Sequence, residues 1–497
     1  MKIAQTARNI AARISSAFAP RSRVEARFDA AQTTSNNVQH WADADALSAN
    51  VAASAPVRRT LRMRARHEVA NNSYAYGIVQ TLANDTIGTG PRLQVQTANT
   101  DLNSKIEREF YRWSNAIGLA AKLRLMRICR SQDGEAFGVL VNNKKIKTPV
   151  QLDVKLIEAD QVASSWTATI FTPNAVDGMK FDDLGNVIEW HVLKHHPGDY
   201  WGMGIATGYD TISPDFMLHY FRATRPGQMR GIPEITPALG LFAQLRQYSQ
   251  SVLDTARAAS NVAGIVHTDL AQVVEDDGAT VSKDTVLNVQ RNAWVTLPAG
   301  WRISQIQAAQ PVDAYKDFKN EIIGEIARCM NMPFNVAAGN SSSYNYASGR
   351  LDHQTYYKSL KVERDCMIDY ILDRVFSAWL REASYIAGYL PGLDAGVTEI
   401  SHQWFWAGTQ HVDPAKEATA QSTRLASRTT SYATEFAREG LDWETQFVQI
   451  AKEQARAKSL GIELPVANPG MNPLAINQAK TPPASGEIEE PLNGDTE

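Results

Sequence analysis

The run from Arg350 to Ala387 contains neither proline nor glycine. As a single helix it would extend about 57 Å at 1.5 Å per residue, and the rest of the chain has to be arranged around a rod of that length. Ile368, Ile371, Val375 and Trp379 recur on one face of its later half, whereas its start, Asp352-His353-Gln354, is polar. A second helix is expected just upstream, from about Val312 to Met330. Tyr315, Ile322, Ile326 and Met330 stand at helical spacing there, and Asp313 suits an N-cap. Asn331-Met332-Pro333 stops it, because proline cannot continue the backbone hydrogen bonds.

The connector between these helices, residues 334–348, has no acidic or basic side chain, although 21% of the chain is charged. The plain reading is a flexible link in a helical hairpin. The sharper one concerns nucleic acid. Lysine and arginine release counterions from phosphates and so bind in a salt-dependent way. A loop of Asn, Ser and Tyr can touch a phosphate backbone by hydrogen bond with little electrostatic grip. Such a loop suits a sliding contact better than a holding one.

At 497 residues several folding units are expected, and a hydrophobic share of 44% excludes global disorder. A net charge of -3 argues against a protein that wraps nucleic acid by bulk electrostatics. Cys129, Cys329 and Cys366 form no CxxC pair and read as reduced thiols. No apolar run is long enough to cross a bilayer. Residues 1–28 are arginine-rich and acid-poor, a pattern shared with organellar transit peptides. A basic arm that packs on a neighbour or meets a partner is the preferred reading.

Residues 29–56 read as extended linker. A helix then starts near Val57 with Arg58, Arg59, Arg62, Arg64 and Arg66 in its first turns. Arginines there oppose the helix dipole, so they serve a solvated face or contact an acidic partner or phosphate. Asp101 is expected to cap a helix bearing Ile106, Phe110 and Trp113, with another following to about Arg130. The period then changes. Segments 136–141, 154–157, 187–192 and 217–221 are strand candidates, and residues 57–230 read as one α+β domain with a mostly antiparallel sheet. A long helix is expected over 234–261, with Pro237 in its first turn. Strand-like character returns over 262–309. Trp404-Phe405-Trp406 suits a core better than base stacking. Asp413-Pro414 starts further helices that reach about Leu460, and from Glu463 the Pro-, Glu- and Asp-rich tail is expected to be disordered.

GxxxxGK[ST], GxSxG and HExxH do not occur. His195 and His196 are adjacent and would point to opposite sides of a strand, a poor arrangement for one metal ion. Asp133-Gly134-Glu135 has the look of an acid pair, but a hairpin approach explains it better. No cofactor, metal or catalytic residue is expected.

Four phrases carry a resemblance. They are Leu61 to Tyr74 (LRMRARHEVANNSY), His219 to Pro233 (HYFRATRPGQMRGIP), Tyr344-Asn-Tyr-Ala-Ser-Gly-Arg350 and Asp413-Pro-Ala-Lys-Glu417. In this order, over about residues 25–462, the chain resembles the lambda-like portal proteins of tailed bacteriophages. The resemblance implies a ring, dodecameric in the family, at one capsid vertex, through which double-stranded DNA is packaged and ejected. Terminase, head–tail adaptors and the major capsid and scaffold proteins would be the partners, in the virion and, during assembly, in the host cytoplasm. It implies a basic arm and linker at 1–56, a wing at 57–233, and stem helices at 234–261 and 310–332 flanking a clip at 262–309. It further implies a tunnel loop at 333–349, a tunnel helix at 350–390, wing return and crown helices at 391–462, and a tail at 463–497. Asn340, Ser341, Ser342, Ser343, Tyr344, Asn345 and Tyr346 would then line the DNA channel. Another head–tail connector component is the alternative, and an α+β enzyme a remote one.

Overall fold

A computed structural model describes residues 38–163, 175–199, 208–260, 264–268, 301–305, 312–342, 346–406, 408 and 414–462. The basic arm, most of the 262–309 segment and the acidic tail therefore lie outside the described residues. Two compact units divide the chain after Ala52. What is described of the first is a turn at 38–43 and one helical turn, Ala49–Ala52.

The second unit begins with helices α1 (Ala55–Asn71) and α2 (Ser73–Ile87). Asn72 separates them: its side chain accepts from the backbone N–H groups of Tyr74 and Ala75 and so caps α2. Strand β1 (Arg92–Val95) leads to α3 (Thr100–Ala116) and α4 (Leu119–Asp133). The cap of α3 is Asn99, which accepts from Leu102 N, and Asp101 stands in the first turn instead, where it favours the helix through the dipole.

Gly134 (φ 90°) ends α4, and β2 (Glu135–Asn142) starts at once. The expected hairpin at Asp133-Gly134-Glu135 is thus a helix-to-strand junction. A Cβ on Gly134 would stand 2.4 Å from the carbonyl carbon of Ile232, so only glycine lets the two backbones approach. β2 pairs antiparallel with β3 (Leu152–Ile157) and β8 (Met217–Phe221), and β4 (Ala175–Val176), β5 (Met179–Phe181), β6 (Val187–Leu193) and β7 (Tyr209–Ile212) form a separate antiparallel sheet. The one sheet expected is therefore two. The reason lies in β2, which is buried on both faces: Ala136 and Leu140 enter one core, Phe137 and Val139 another.

Thr236–Ala238 forms a 3₁₀ turn, so α5 runs Leu239–Ser260 rather than from Glu234, which Pro237 keeps out of the regular helix. Strands β9 (Gly264–Thr268) and β10 (Trp301–Gln305) pair antiparallel, and α6 (Val312–Cys329) returns along α5, with the Tyr315 hydroxyl 3.2 Å from Ser249 Oγ. A short helix, α7 (Phe334–Ala338), precedes α8 (Tyr346–Met367), a π-helical turn (Ile368–Leu372) and α9 (Asp373–Tyr385).

The long rod is therefore present but not uniform. Its first part packs Tyr356 and Leu360 into the core of α1, α2, α5 and α6, and its last part packs Val375, Phe376, Trp379 and Leu380 into the core of α3, α4 and β2. Glu363, Met367, Ile371, Val375, Trp379 and Ala383 are buried at a strict four-residue spacing. A regular helix of 3.6 residues per turn would rotate that row away, and a wider π turn slows the rotation.

Strand β11 (His402–Phe405) pairs with β1, placing Trp404 against Phe110 and Phe376 in the core, as its apolar character suggested. Helices α10 (Pro414–Ala426), α11 (Tyr432–Arg438) and α12 (Trp443–Ser459) complete the described chain. At this join Glu107 Oε1 accepts from Val95 N at 2.6 Å, and burial, with Asp442 and Glu444 nearby, raises its carboxyl from 4.5 to about 7. A raised folded-state value stabilises fully below pH 4.5 and loses that contribution as pH climbs through 7. Glu107→Gln should therefore melt above the natural chain at pH 8, by about 1 kcal/mol after solvent screening. The two melting curves should converge near pH 4.5, and a gap that does not change with pH would refute this assignment.

Candidate functional site

Three places gather polar chemistry, and the first is the uncharged connector. After α6, Asn331 takes a left-handed conformation (φ 51°), and Pro333 stands at the N-cap of α7. Val336, Ala337 and Ala338 pack into the core beside α2, so the expected loop at 333–349 is shortened from both ends: its first part is α7, and α8 starts at Tyr346 rather than Arg350. Gly339 (φ 62°) closes α7, and Asn340 N donates to Asn335 O at 3.1 Å. Ser342 N donates to Asn340 Oδ1 at 3.0 Å, and Asn335 Nδ2 meets His353 Nε2 at 3.1 Å. Asn340, Ser341 and Ser342 are exposed. Ser343, Tyr344 and Asn345 lie outside the described residues, and Tyr346 opens α8. The base of α8 is held firmly: the Tyr356 hydroxyl donates to Asp85 Oδ2 at 2.8 Å, and Arg364 donates to Thr86 O at 2.8 Å.

The arginine cluster of α1 divides between two faces. Arg58 and Arg62 are buried, pairing with Asp177 at 3.1 Å and with Asp160 and Glu135 at 2.7 and 3.2 Å. Arg66 pairs with Asp133, Asp160 and Glu158 at 2.6, 2.9 and 3.4 Å. These three, singled out as phosphate or partner contacts, are occupied within the chain. Arg59 and Arg64 are exposed.

At the centre of that network sits Glu135, whose side chain has no exposed surface. Its Oε1 lies 2.7 Å from Arg230 Nη2, and its Oε2 3.1 Å from both His219 Nε2 and Gly231 N. Burial alone would raise this carboxyl, but Arg230 and the His219 hydrogen bond hold it far below its usual range. Arg230 also donates to the carbonyls of Val162 and Ala159. A second hub is Glu234, which accepts from Arg127 at 2.7 Å, Arg130 at 3.0 Å and Ser131 at 3.2 Å. Arg130 reaches on to Glu363 of α8 at 2.6 Å. Neither hub was legible as a network, because the partners stand far apart along the chain, although Glu135 stood in the phrase Asp133-Gly134-Glu135, Arg62 in the arginine cluster and Arg230 in the phrase from His219 to Pro233.

Glu158, Asp160 and His196 bring ligand atoms close enough for a metal ion. The chemistry does not fit one. Gly198 N donates to His196 Nδ1 at 3.0 Å, so the ring proton stands on Nε2, the atom that would have to bind the metal. Arg66 already supplies the cation between the two carboxylates. The cysteines are free, and burial pushes the Cys129 thiol up to about 12, which makes it a poor nucleophile.

Buried charge among the described residues is thus spent on holding elements together, in a chain of mixed helix and sheet. A family model described as phage portal protein, lambda family, matches residues 35–364. The chain belongs to this family, whose members are structural components of the virus particle. It is 24% identical, over 82% of each chain, to a probable portal protein of Halomonas phage phiHAP-1. Among solved structures it is similar to a chain in the virion of a native gene transfer agent particle (14% identity, TM-score 0.40, covering 76% of this chain and 92% of that one). A chain from the neck of an empty gene transfer agent particle gives 16% identity, a TM-score of 0.42 and coverage of 75% and 91%.

Proposed function

We propose that copies of this chain close into a ring, dodecameric as the resemblance implies, at the portal vertex of a phage capsid. Double-stranded DNA passes through the ring during packaging and ejection. The wing, stem, clip, tunnel and crown boundaries given above apply, with the clip at 262–309 meeting terminase and later the head–tail adaptor. The motor ATPase is supplied by terminase.

The observation that carries this reading is the exposed, uncharged turn at Asn340, Ser341 and Ser342, held between a capped short helix and a long helix anchored at its base. In a ring every loop contact is repeated by each subunit. A single cation per loop would become a collar of phosphate contacts and a salt-sensitive brake, which side chains of this kind avoid. Ser342→Lys should slow packaging at least about tenfold at low salt, with recovery as salt rises. Packaging at the natural rate with the variant ring would overturn the role given to this loop.

A further inference from the structure

We infer that the contact between neighbouring copies is made by the outward face of α6 of one copy seated on the groove between α1 and α5 of the next; this rests on the ring reading. The two surfaces are complementary and lie on different elements. On α6 the buried residues Ile322, Ile323, Ile326 and Ala327 fill the core, leaving Asp317, Glu321 and Glu325 exposed at a spacing of four. That spacing lines the three carboxylates along one side of the helix, with one exposed cation, Arg328, following in the same row, next to Phe318, whose ring meets Tyr248 of α5 edge-on and is still 51% exposed. None of the three carboxylates pairs with another described residue.

The groove is its counterpart. About 410 Å³ in volume, it is floored by Leu239, Gly240 and Ala243 of α5 and walled by Met63, Arg64 and His67 of α1. Gly240 has no atom within 4 Å of where a Cβ would stand, so the floor is open to an inserted side chain. Arg59 and Arg64 lie exposed along α1, and Arg246, paired with Glu68 at 2.7 Å, adds a third guanidinium. Glu68 Oε2 is buried without a hydrogen-bond partner at the groove wall. The α5 residues that meet α1 (Leu239, Ala243, Arg246) stand on a different side of that helix from Tyr248 and Ser249, which meet α6. A subunit therefore carries an acidic, phenylalanine-bearing flank and a basic, apolar-floored flank. Such unlike surfaces make a head-to-tail contact that closes into a ring instead of a two-fold dimer. Charge sets the register, while Phe318 over the small-residue floor supplies the apolar burial.

The test uses full-length protein and its fraction in rings, counted by electron microscopy and mass photometry. One variant carries Glu321→Lys with Glu325→Lys, the other Arg59→Glu with Arg64→Glu. All four positions are exposed, so each variant should keep the natural circular dichroism and melting curve. Each alone should lose ring formation at least about tenfold, since the mismatch recurs at every interface. Mixed in equal amounts, the two should recover rings, because the basic α6 of the first variant matches the acidic groove of the second, and the natural α6 of the second matches the natural groove of the first. Rings formed by the natural chain and by both separate variants would overturn this interface while leaving the ring itself intact. A natural chain that forms no rings would overturn the parent reading. Loss of rings without recovery on mixing would also refute the pairing.

Discussion

Glu135→Ala is expected to be among the most damaging substitutions in the protein, costing about 3–5 kcal/mol. The loss does not come from one hydrogen bond. Arg230 and Arg62 are 4% and 5% exposed at their side chains, and removing the carboxylate leaves both cations buried with reduced compensation. The damage should spread along the groups that Arg230 ties together, namely the start of β2 and the backbone carbonyls of Ala159, Val162 and Asp177. Thermal melts at one fixed protein concentration measure it, since assembly shifts apparent stability. A loss below about 1 kcal/mol, the range of an exposed pair, would show that the network is solvated and the carboxylate dispensable.

Glu234→Gln is the second large effect, and its signature is pH dependence. Burial opposes the charged form, but Arg127 and Arg130 overcome it and lower the carboxyl from 4.5 to about 2. A depressed folded-state value gives stability that is present above pH 4.5 and disappears as pH falls to 2. A shift of that size corresponds to about 3 kcal/mol at neutral pH. The variant should melt well below the natural chain at pH 7, and the difference should close as the pH approaches 2. A difference independent of pH would mean that the side chain acts through shape alone. Because Arg130 also binds Glu363, the variant should also loosen the hold of α4 on α8, measurable as faster amide exchange around Glu363.

Much of the architecture is written in local signals. Helix α6, the rod from α8 to α9, and strands β2, β3, β6 and β8 stand close to where periodicity and breakers put them, because hydrogen-bond patterns and apolar spacing are set over a few residues. The errors share one cause. Phe334–Ala338 read as loop because it is as free of charge as residues 339–345, yet its apolar side chains find the core of α1, α2 and α6 and fold into a helical turn. One sheet became two because β2 faces two cores, which a short apolar run cannot reveal. The exposed turn at Asn340, Ser341 and Ser342 was legible as an uncharged segment, while the groove between α1 and α5 was not.

By itself the sequence determined where most of the long helices and the strands β2, β3, β6 and β8 form, that Arg58 to Arg66 lie on one helix, and which family the chain resembles. Only the tertiary structure decided which of those arginines face inward. Helical geometry sorts Arg58 and Arg62 from Arg59 and Arg64, but it does not say which face meets protein. That depended on Glu135, Asp160 and Asp177, carboxylates brought to α1 from more than seventy residues away, whose pairing makes burial of a guanidinium tolerable.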